Sequence, residues 1–473
     1  MHHPLERRKG RAKQALVHSG NSVSGIHYHS TLVLPVLSSM RGLGVGCLSL
    51  VLAVGLTGCG GGPLGGRACT IELSVDDSVV GECGQICGAV TIDGRRLDTA
   101  ELLFVDELSG EVGSEALTLS LDANEAEFCW EGPLPVGDLV LRVETDHCST
   151  ETAVSVLGFG ASYGLPREAA LTSIPWEPTV EGLEDEPFFT PAESGWDSLS
   201  VMAPTLVTFQ GAEWLYYAGN QVEDFSVGVA RREAGETEFS RLLEIPILKP
   251  GSDVEEDWKR FAQNTPEALV VGDEIWLYYS GRREFDSGLG VGLAKSSDGL
   301  VFTDVPENPL LAQNPDGEFF DRAGIAHPSI IHRGDAFQLW YATGDHEIGY
   351  ALSDDGANFD RYCGNPVFQG VGEDSWDEDV VKAPEVIFDG EQYWMTYSGG
   401  GRGQYQVGWA VSADGIDWIA AEAPILPVSA GTSWNSVATQ EAFIVVEEDT
   451  WSFWYAGNSG TEQQIGVVEA VRP

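Results

Sequence analysis

Four titratable side chains stand at matching points of a repeated segment in the C-terminal part of the chain. The residue after a recurring proline, or after its counterpart in the last repeat, is Thr205, Glu267, Ser329, Glu385 and Glu441 in turn. The residue before it is Ala203, Thr265, His327, Ala383 and Thr439. A side chain common to every repeat belongs to the scaffold, so Glu267, Glu385, Glu441 and His327, which depart, are the catalytic candidates. Residues two apart on a strand share a face, and strands set around an axis would bring these groups together. Carboxylates crowded into a partly dry funnel have their pKa values pushed apart, as acid–base catalysis requires. Hydrolysis of a glycosidic bond uses such a pair, about 6.5–9.5 Å apart when the reaction inverts. The same residues read equally as a polar plug, each Glu bonded to backbone or to Arg.

A second set lies on loops. Asp197, Asp321 and Asp377 each follow an aromatic residue shortly before the proline strand. Of the 15 Lys and Arg between residues 176 and 473, seven (Lys259, Arg260, Arg282, Arg283, Arg322, Lys382 and Arg402) fall on the loops expected at one face. Such a cluster suits an anionic or hydroxyl-rich ligand, Arg offering planar multi-donor contacts. It suits neutralisation of acids on the same loops equally well. Asp197, Asp321, Asp377, Arg282, Arg322, Lys382 and Arg402 are the candidate ligand-binding residues.

The elements that must position them follow from the repeat itself. An x-Pro-apolar-apolar signal comes first, as in Glu186–Phe189, Ile245–Leu248, Asn308–Leu311, Asn365–Phe368 and Ala423–Leu426. An aromatic residue follows, usually with Asp. Next come the strand that opens near proline, an aromatic strand ending in Tyr217, Tyr279, Tyr341, Tyr397 or Tyr455, and a strand centred on Gly. The post-proline positions are 62, 62, 56 and 56 residues apart. Three repeats add Ser-x-Asp-Gly, ending at Gly299, Gly356 and Gly415, and Asp-Gly between strands makes a hairpin turn.

Radially stacked units of four short strands form a β-propeller, so five repeats predict five blades. The last repeat stops after its third strand, and the segment 186–189 has no blade of its own. That segment is expected to supply the missing strand and close the ring, which removes exposed edges. Trp214, Trp276, Trp340, Trp394 and Trp454 recur with the repeat and are expected in the core between blades.

Composition narrows the partners. The chain has 473 residues, 26 Lys+Arg against 73 Asp+Glu, and a formal charge of -47. Hydrophobic content of 43% excludes a wholly disordered acidic chain. Such acidity argues against nucleic acid and anionic lipid head groups, which need a basic surface. Six of the basic residues and one acid precede Cys59, leaving 20 against 72, or -52, from there onward.

Met40-Arg41 followed by the apolar stretch 42–58 reads as a secretory signal. Its end, Leu56-Thr57-Gly58-Cys59, resembles the lipobox of bacterial lipoproteins. By that resemblance residues 1–58 are leader and signal peptide, with Met40 the true start, and Cys59 carries the lipid. Residues 59–68 form a Gly-rich tether. Gly60 after the lipidated Cys implies the outer membrane or cell surface. Cys69, Cys83, Cys87, Cys129, Cys148 and Cys363 suggest disulfides in an oxidising compartment. Cys83-x-x-x-Cys87 lacks a His-rich partner apart from His147, so no metal and no cofactor are expected.

Residues 69–170 alternate as strands do, and "GAVTIDGRRLDTAELLFVD" with "FCWEGPLPVGDLVLRV" resembles the transthyretin-like or carboxypeptidase-regulatory-like β-sandwich. Residues 171–473 are expected to form the propeller, and about 186–473, through "APEVIFDGEQYWMTYSGG", "TPEALVVGDEIWLYYSG" and "SADGIDW", resemble the five-bladed arabinanase, xylosidase, levansucrase and invertase group (glycoside hydrolase family 43-like). The expected architecture is all-β: a small sandwich followed by a five-bladed propeller closed by an N-terminal strand. The resemblance implies three catalytic acids, of which only the one after Ala-Pro has a counterpart, as Glu267 or Glu385. The expected function is an exported, lipid-anchored monomer acting on or binding oligosaccharide or polysaccharide. The alternative is a non-catalytic glycan-binding or protein-interaction propeller on a sandwich spacer.

Overall fold

The computed structural model describes residues 70–472 except 76–78, 82–84, 94–98, 107–111, 121–124, 132–135, 145–148, 166–169, 184–185, 223–224, 251–257, 285–286, 314–319, 345, 373, 402–403 and 430–432. Cys59, the leader and Arg402 therefore lie outside the described residues. Among those described, secondary structure is strand apart from two single 3-10 turns, Ala161–Tyr163 and Phe320–Ala323. The chain divides after Phe159 into two units.

The first unit holds β1 (Thr70–Val75), β2 (Val79–Gly81), β3 (Gln85–Asp93), β4 (Thr99–Asp106), β5 (Val112–Ser120), β6 (Glu125–Glu131), β7 (Gly137–Glu144) and β8 (Ser149–Leu157). They form two sheets, β1-β3-β6 and β2-β8-β7-β4-β5. The register sets Cys87 of β3 opposite Cys129 of β6.

The second unit is a five-bladed β-propeller. Blade one is β9 (Ser200–Phe209), β10 (Ala212–Asn220), β11 (Ser226–Glu233) and β12 (Ser240–Arg241). Blade two is β13 (Ala262–Val271), β14 (Glu274–Glu284), β15 (Ser287–Ser296), β16 (Thr303–Asp304) and β17 (Leu311–Ala312). Blade three is β18 (Ile325–Arg333), β19 (Ala336–Thr343), β20 (Ile348–Ser353) and β21 (Asp360–Arg361). Blade four is β22 (Val380–Phe388), β23 (Tyr393–Gly401), β24 (Gln404–Ser412) and β25 (Trp418–Ala420). Blade five has β26 (Ala438–Glu447), β27 (Thr450–Asn458) and β28 (Gln463–Val471).

The outer strand of each blade is broken in two. One piece follows the hairpin, and the x-Pro-apolar segment supplies the other, as Leu248 against Val227, Phe368 against Ile348 and Leu426 against Val407. In blade five Glu181 pairs with Glu469 and Phe189 with Ile465, so the chain before blade one closes the ring as the repeat count requires.

Both faces of a blade are covered by neighbours, so second strands read as near-continuous apolar runs, not alternating ones; β10 is buried at eight of its nine positions. Trp214, Trp340, Trp394 and Trp454 are buried and Trp276 half-buried, as core residues should be. In blades one, two, four and five the aromatic residue before the blade lies flat on the blade's tyrosine: Trp196 on Tyr217, Trp258 on Tyr279, Trp376 on Tyr397, Trp434 on Tyr455. Glycine is obligatory beneath these rings. A Cβ at Gly281 would sit 2.0 Å from Trp258, and one at Gly457 2.0 Å from Trp434.

The Ser-x-Asp-Gly turns are local locks. Ser296 Oγ donates to Asp298 and accepts from the Gly299 N–H (2.9 Å), and Ser353 and Ser412 repeat the pattern. The glycine carbonyl then accepts from the blade before, from Tyr216 (3.0 Å), Tyr278 (2.9 Å) and Trp340 (2.8 Å).

Candidate functional site

Each innermost strand is bulged at one point. Pairing with the second strand skips from Met202 to Thr205, Asn264 to Glu267, Ala326 to Ser329, Lys382 to Glu385 and Gln440 to Phe443. The first skipped residue has a positive φ in every blade: Ala203 47°, Thr265 44°, His327 52°, Ala383 49°, Glu441 54°. None is glycine, and such a conformation costs on the order of 1–3 kcal/mol unless its surroundings impose it. Fivefold repetition marks it as scaffold.

The bulge corrects one sequence expectation. Glu441 is the counterpart of His327, not of Glu267 and Glu385; Ala442 stands in the proline position and Phe443 after it. Blade five carries no proline to mark the register, and an extra residue breaks the simple alternation. Both columns nonetheless reach the axis, where the bulge residues and those following them line an open pocket of about 40 Å³. That is room for about three waters. Sites for drug-sized ligands occupy about 300–1,000 Å³.

Glu267 and Glu385 belong to a chain of bonds between blades. Thr205 Oγ1 accepts from the Ala268 N–H (3.0 Å) and Ser329 Oγ from the Val386 N–H (2.9 Å). Glu267 accepts from the Ile330 N–H and the Thr205 hydroxyl, and Glu385 from the Ile444 N–H and the Ser329 hydroxyl. Each of these four side chains thus holds the main chain of the next blade. Burial pushes Glu267 up to about 8. It pushes Glu385 well above the carboxylate range too, helped by the nearby Glu267 charge. Glu267 therefore holds its proton near neutral pH, and Glu385 is shifted in the same direction.

Glu441, Lys382 and His327 form a second axial group on consecutive inner strands. Lys382 Nζ donates to Gln440 Oε1 (3.3 Å) and stands 4.0 Å from the centre of the Tyr405 ring. Gln440 Nε2 donates to Gln463 Oε1 (2.9 Å). Burial lowers the Lys382 pKa, and the Glu441 charge opposes that. Burial raises Glu441, against the Lys382 charge and the Ala203 N–H that it accepts. His327 is brought down to about 3, by desolvation first and the Lys382 charge second, and stays neutral. Glu441 is 8% exposed, and its Oε2 is buried without a hydrogen-bond partner.

The loop acids do other work. Asp197, Asp321 and Asp377 are buried. Asp197 accepts from Tyr217 OH (2.9 Å) and pairs with Arg241 (2.7 Å). Asp321 pairs with Arg361 (2.8 Å), and Asp377 accepts from Tyr397 OH (2.7 Å). Asp197 and Asp377 fix the incoming loop to its blade, and Asp321, paired with Arg361, leaves its Oδ1 buried without a hydrogen-bond partner. Arg322 is exposed, whereas Arg282 is half-buried over the Phe261 ring at 5.2 Å. Of the cationic candidates described, Lys382 stands beside the axial groups.

Sequence reasoning placed Asn264 and Lys382 on one face but passed over Gln440, which Lys382 contacts. Asn264, Lys382 and Gln440 occupy the column before the bulge, where blades one and three have Met202 and Ala326. That departure within a column was the available signal. Gln263 beside it is buried, donates to the Lys249 carbonyl (2.7 Å), and leaves its Oε1 unpartnered.

No protein-family model matches the chain. It is 30% identical over 227 residues to the uncharacterized protein Rv1502 of Mycobacterium tuberculosis, spanning 44% of this chain and 73% of that protein. It is 27% identical over 119 residues to a β-1,2-mannobiose phosphorylase of Thermoanaerobacter sp., spanning 21% of this chain and 38% of the enzyme. Among solved structures, one from the GH130 family of mannoside phosphorylases, reported to contain hydrolases of β-1,2-mannosidic linkages in Candida mannan, superposes with a TM-score of 0.52. Identity is 16% over 64% of this chain and 99% of that one. The fold is therefore shared with glycoside-processing propellers.

Proposed function

The chain belongs to the family of Mycobacterium tuberculosis Rv1502, and from that premise we propose that its propeller recognises a neutral oligosaccharide at the axial group without hydrolysing it through the axial glutamates. One observation carries this reading: Glu267 and Glu385 are each bound by a main-chain N–H and a side-chain hydroxyl of the neighbouring blades, which ties both carboxyls into the scaffold. What remains beside the axis is Lys382, Glu441, the neutral His327 and amides, groups that read hydroxyls. β-1,2-Mannosides are the first ligand class to test, because the partial relative and the shared fold both carry that chemistry in their names.

The test is calorimetry of the purified 59–473 chain with β-1,2-mannobiose and longer β-1,2-mannosides, with and without inorganic phosphate. Product release is followed in parallel. Saturable binding with no mannose and no mannose 1-phosphate released is the expected result. Turnover that disappears in Glu267→Gln would overturn the reading.

The proposal includes export and lipid anchoring at Cys59 in the bacterial envelope. The lipobox-like Leu56–Cys59 supports it. Labelled palmitate should be incorporated into the native chain and not into Cys59→Ser.

A further inference from the structure

Of the thirteen residues that line the axial pocket, eleven are buried and two, His327 and Phe443, are half-buried. The repeat shows which part of His327 is accessible. Ala203, Thr265, Ala383 and Glu441 hold the same bulge position with the same positive φ, and each is only 5–8% exposed. The additional exposure of His327 therefore belongs to its imidazole. Phe443 departs in the same way from its own column, where the residues of the other four blades are buried. The accessible side chains of the pocket are thus one imidazole and one phenyl ring.

The two rings differ in what they leave unused. The main-chain N–H of His327 donates to Ser280 Oγ (2.9 Å), which anchors the bulge to the blade before. Among the described residues no hydrogen bond, ion pair or ring contact engages the imidazole itself; His332 nearby on the same strand stacks on Phe337 at 4.2 Å. A polar ring set this deep ordinarily has a partner, so one from outside the protein is expected. Burial first and the Lys382 charge second keep the ring neutral, and a neutral imidazole offers one N–H donor and one bare nitrogen acceptor. A hydroxyl, which both donates and accepts, matches the pair. An anion would use only the N–H, and a cation only the bare nitrogen. Phe443 adds an apolar wall, so the hydroxyl should stand on a hydrocarbon frame, as a sugar hydroxyl does. The inference rests on the oligosaccharide reading above and names the residue that meets the sugar.

We propose that His327 is the specificity-determining residue of the axial pocket, its imidazole exchanging hydrogen bonds with a hydroxyl of the bound oligosaccharide.

The experiment titrates β-1,2-mannobiose into the native chain carrying nitrogen-15 in its histidine rings, with the His327 signals assigned by their loss in His327→Phe. Ring-nitrogen resonances report hydrogen bonding at the imidazole directly, so the readout does not depend on a variant folding. On binding, both His327 resonances should move while those of His332 stay. Calorimetry with the same sugar should show binding weakened about fivefold to a hundredfold in His327→Phe, which keeps a flat ring but neither polar atom. His327→Gln, which keeps a neutral donor and acceptor, should bind more tightly than His327→Phe. An unmoved His327 signal at saturation, or binding of native strength in His327→Phe, overturns the assignment and leaves oligosaccharide recognition standing. Absence of binding to the native chain overturns recognition itself, and the assignment with it.

Discussion

Replacing Glu267 with glutamine should make the propeller more stable in alkaline solution. The Glu267 pKa in the folded chain is about 8 against an ordinary 4.5. Between these values the native state binds more protons than the unfolded state, so stability falls as pH rises through the window. Each pKa unit corresponds to about 1.36 kcal/mol. His327, lowered to about 3 from 6.5, acts in the opposite sense but only below 6.5, and comparing the native chain with Glu267→Gln from about pH 6.5 to about pH 9 cancels the groups both share, the buried Lys382 with its lowered pKa among them. Over that interval Glu267 should cost the native chain about 2 kcal/mol, and Glu385, raised by the same burial, adds in the same direction. The substituted amide stays neutral, still accepts from the Ile330 N–H, and can donate to Thr205 Oγ1. Urea unfolding followed by tryptophan fluorescence at the two ends of the interval measures the effect. The Glu267→Gln variant should lose less stability than the native chain across the interval, by about 2 kcal/mol. Equal losses in both chains would show that Glu267 is ionised when folded, and the reasoning from its burial would fail.

Trp176 packs edge-on against Trp394, Trp409 and Trp451 at 5.1–5.9 Å, so Trp176→Ala should lower stability by about 3–5 kcal/mol, read as a fall in urea midpoint. Gly281→Ala would place a Cβ 2.0 Å from the Trp258 ring and should cost about 1–3 kcal/mol by overpacking, visible as a lower thermal midpoint. Thr205→Val keeps the side-chain shape but strands the buried Ala268 N–H; a loss of about 1–3 kcal/mol is expected, with faster hydrogen exchange at that amide.

The propeller was legible because its packing writes the same residues into every blade. Tyr217, Tyr279, Tyr341, Tyr397 and Tyr455 each pair with the glycine of the next strand, and a stacked ring forbids anything larger there. The Ser-x-Asp-Gly turns were legible because their bonds are local. The bulge was not, because its positive φ falls on Ala, Thr, His and Glu, residue types that announce nothing. That hid the true register of Glu441. The loop aspartates looked like ligand contacts because an Asp beside Trp in a polar loop resembles an exposed group. Their partners were written in the spacing: Asp197 to Tyr217, Asp377 to Tyr397 and Asn435 to Tyr455 are each 20 residues apart. Constant spacing signals scaffold, whatever the charge. What the axial glutamates do depended on the next blade's main chain, a partner about 60 residues away that local pattern cannot supply.

Ring closure has a consequence for how the chain is made. Phe189 pairs with Ile465 and Glu181 with Glu469, and the Leu183 carbonyl accepts from Asn435. During synthesis the early segment must wait, unpaired, until nearly the whole propeller has left the ribosome. Blades one to four can form in order behind it, but the fifth has no outer strand until the two ends of the unit meet. Folding of the ring is thus committed at its last step, and a chain truncated before β28 would carry an open strand edge able to join another copy.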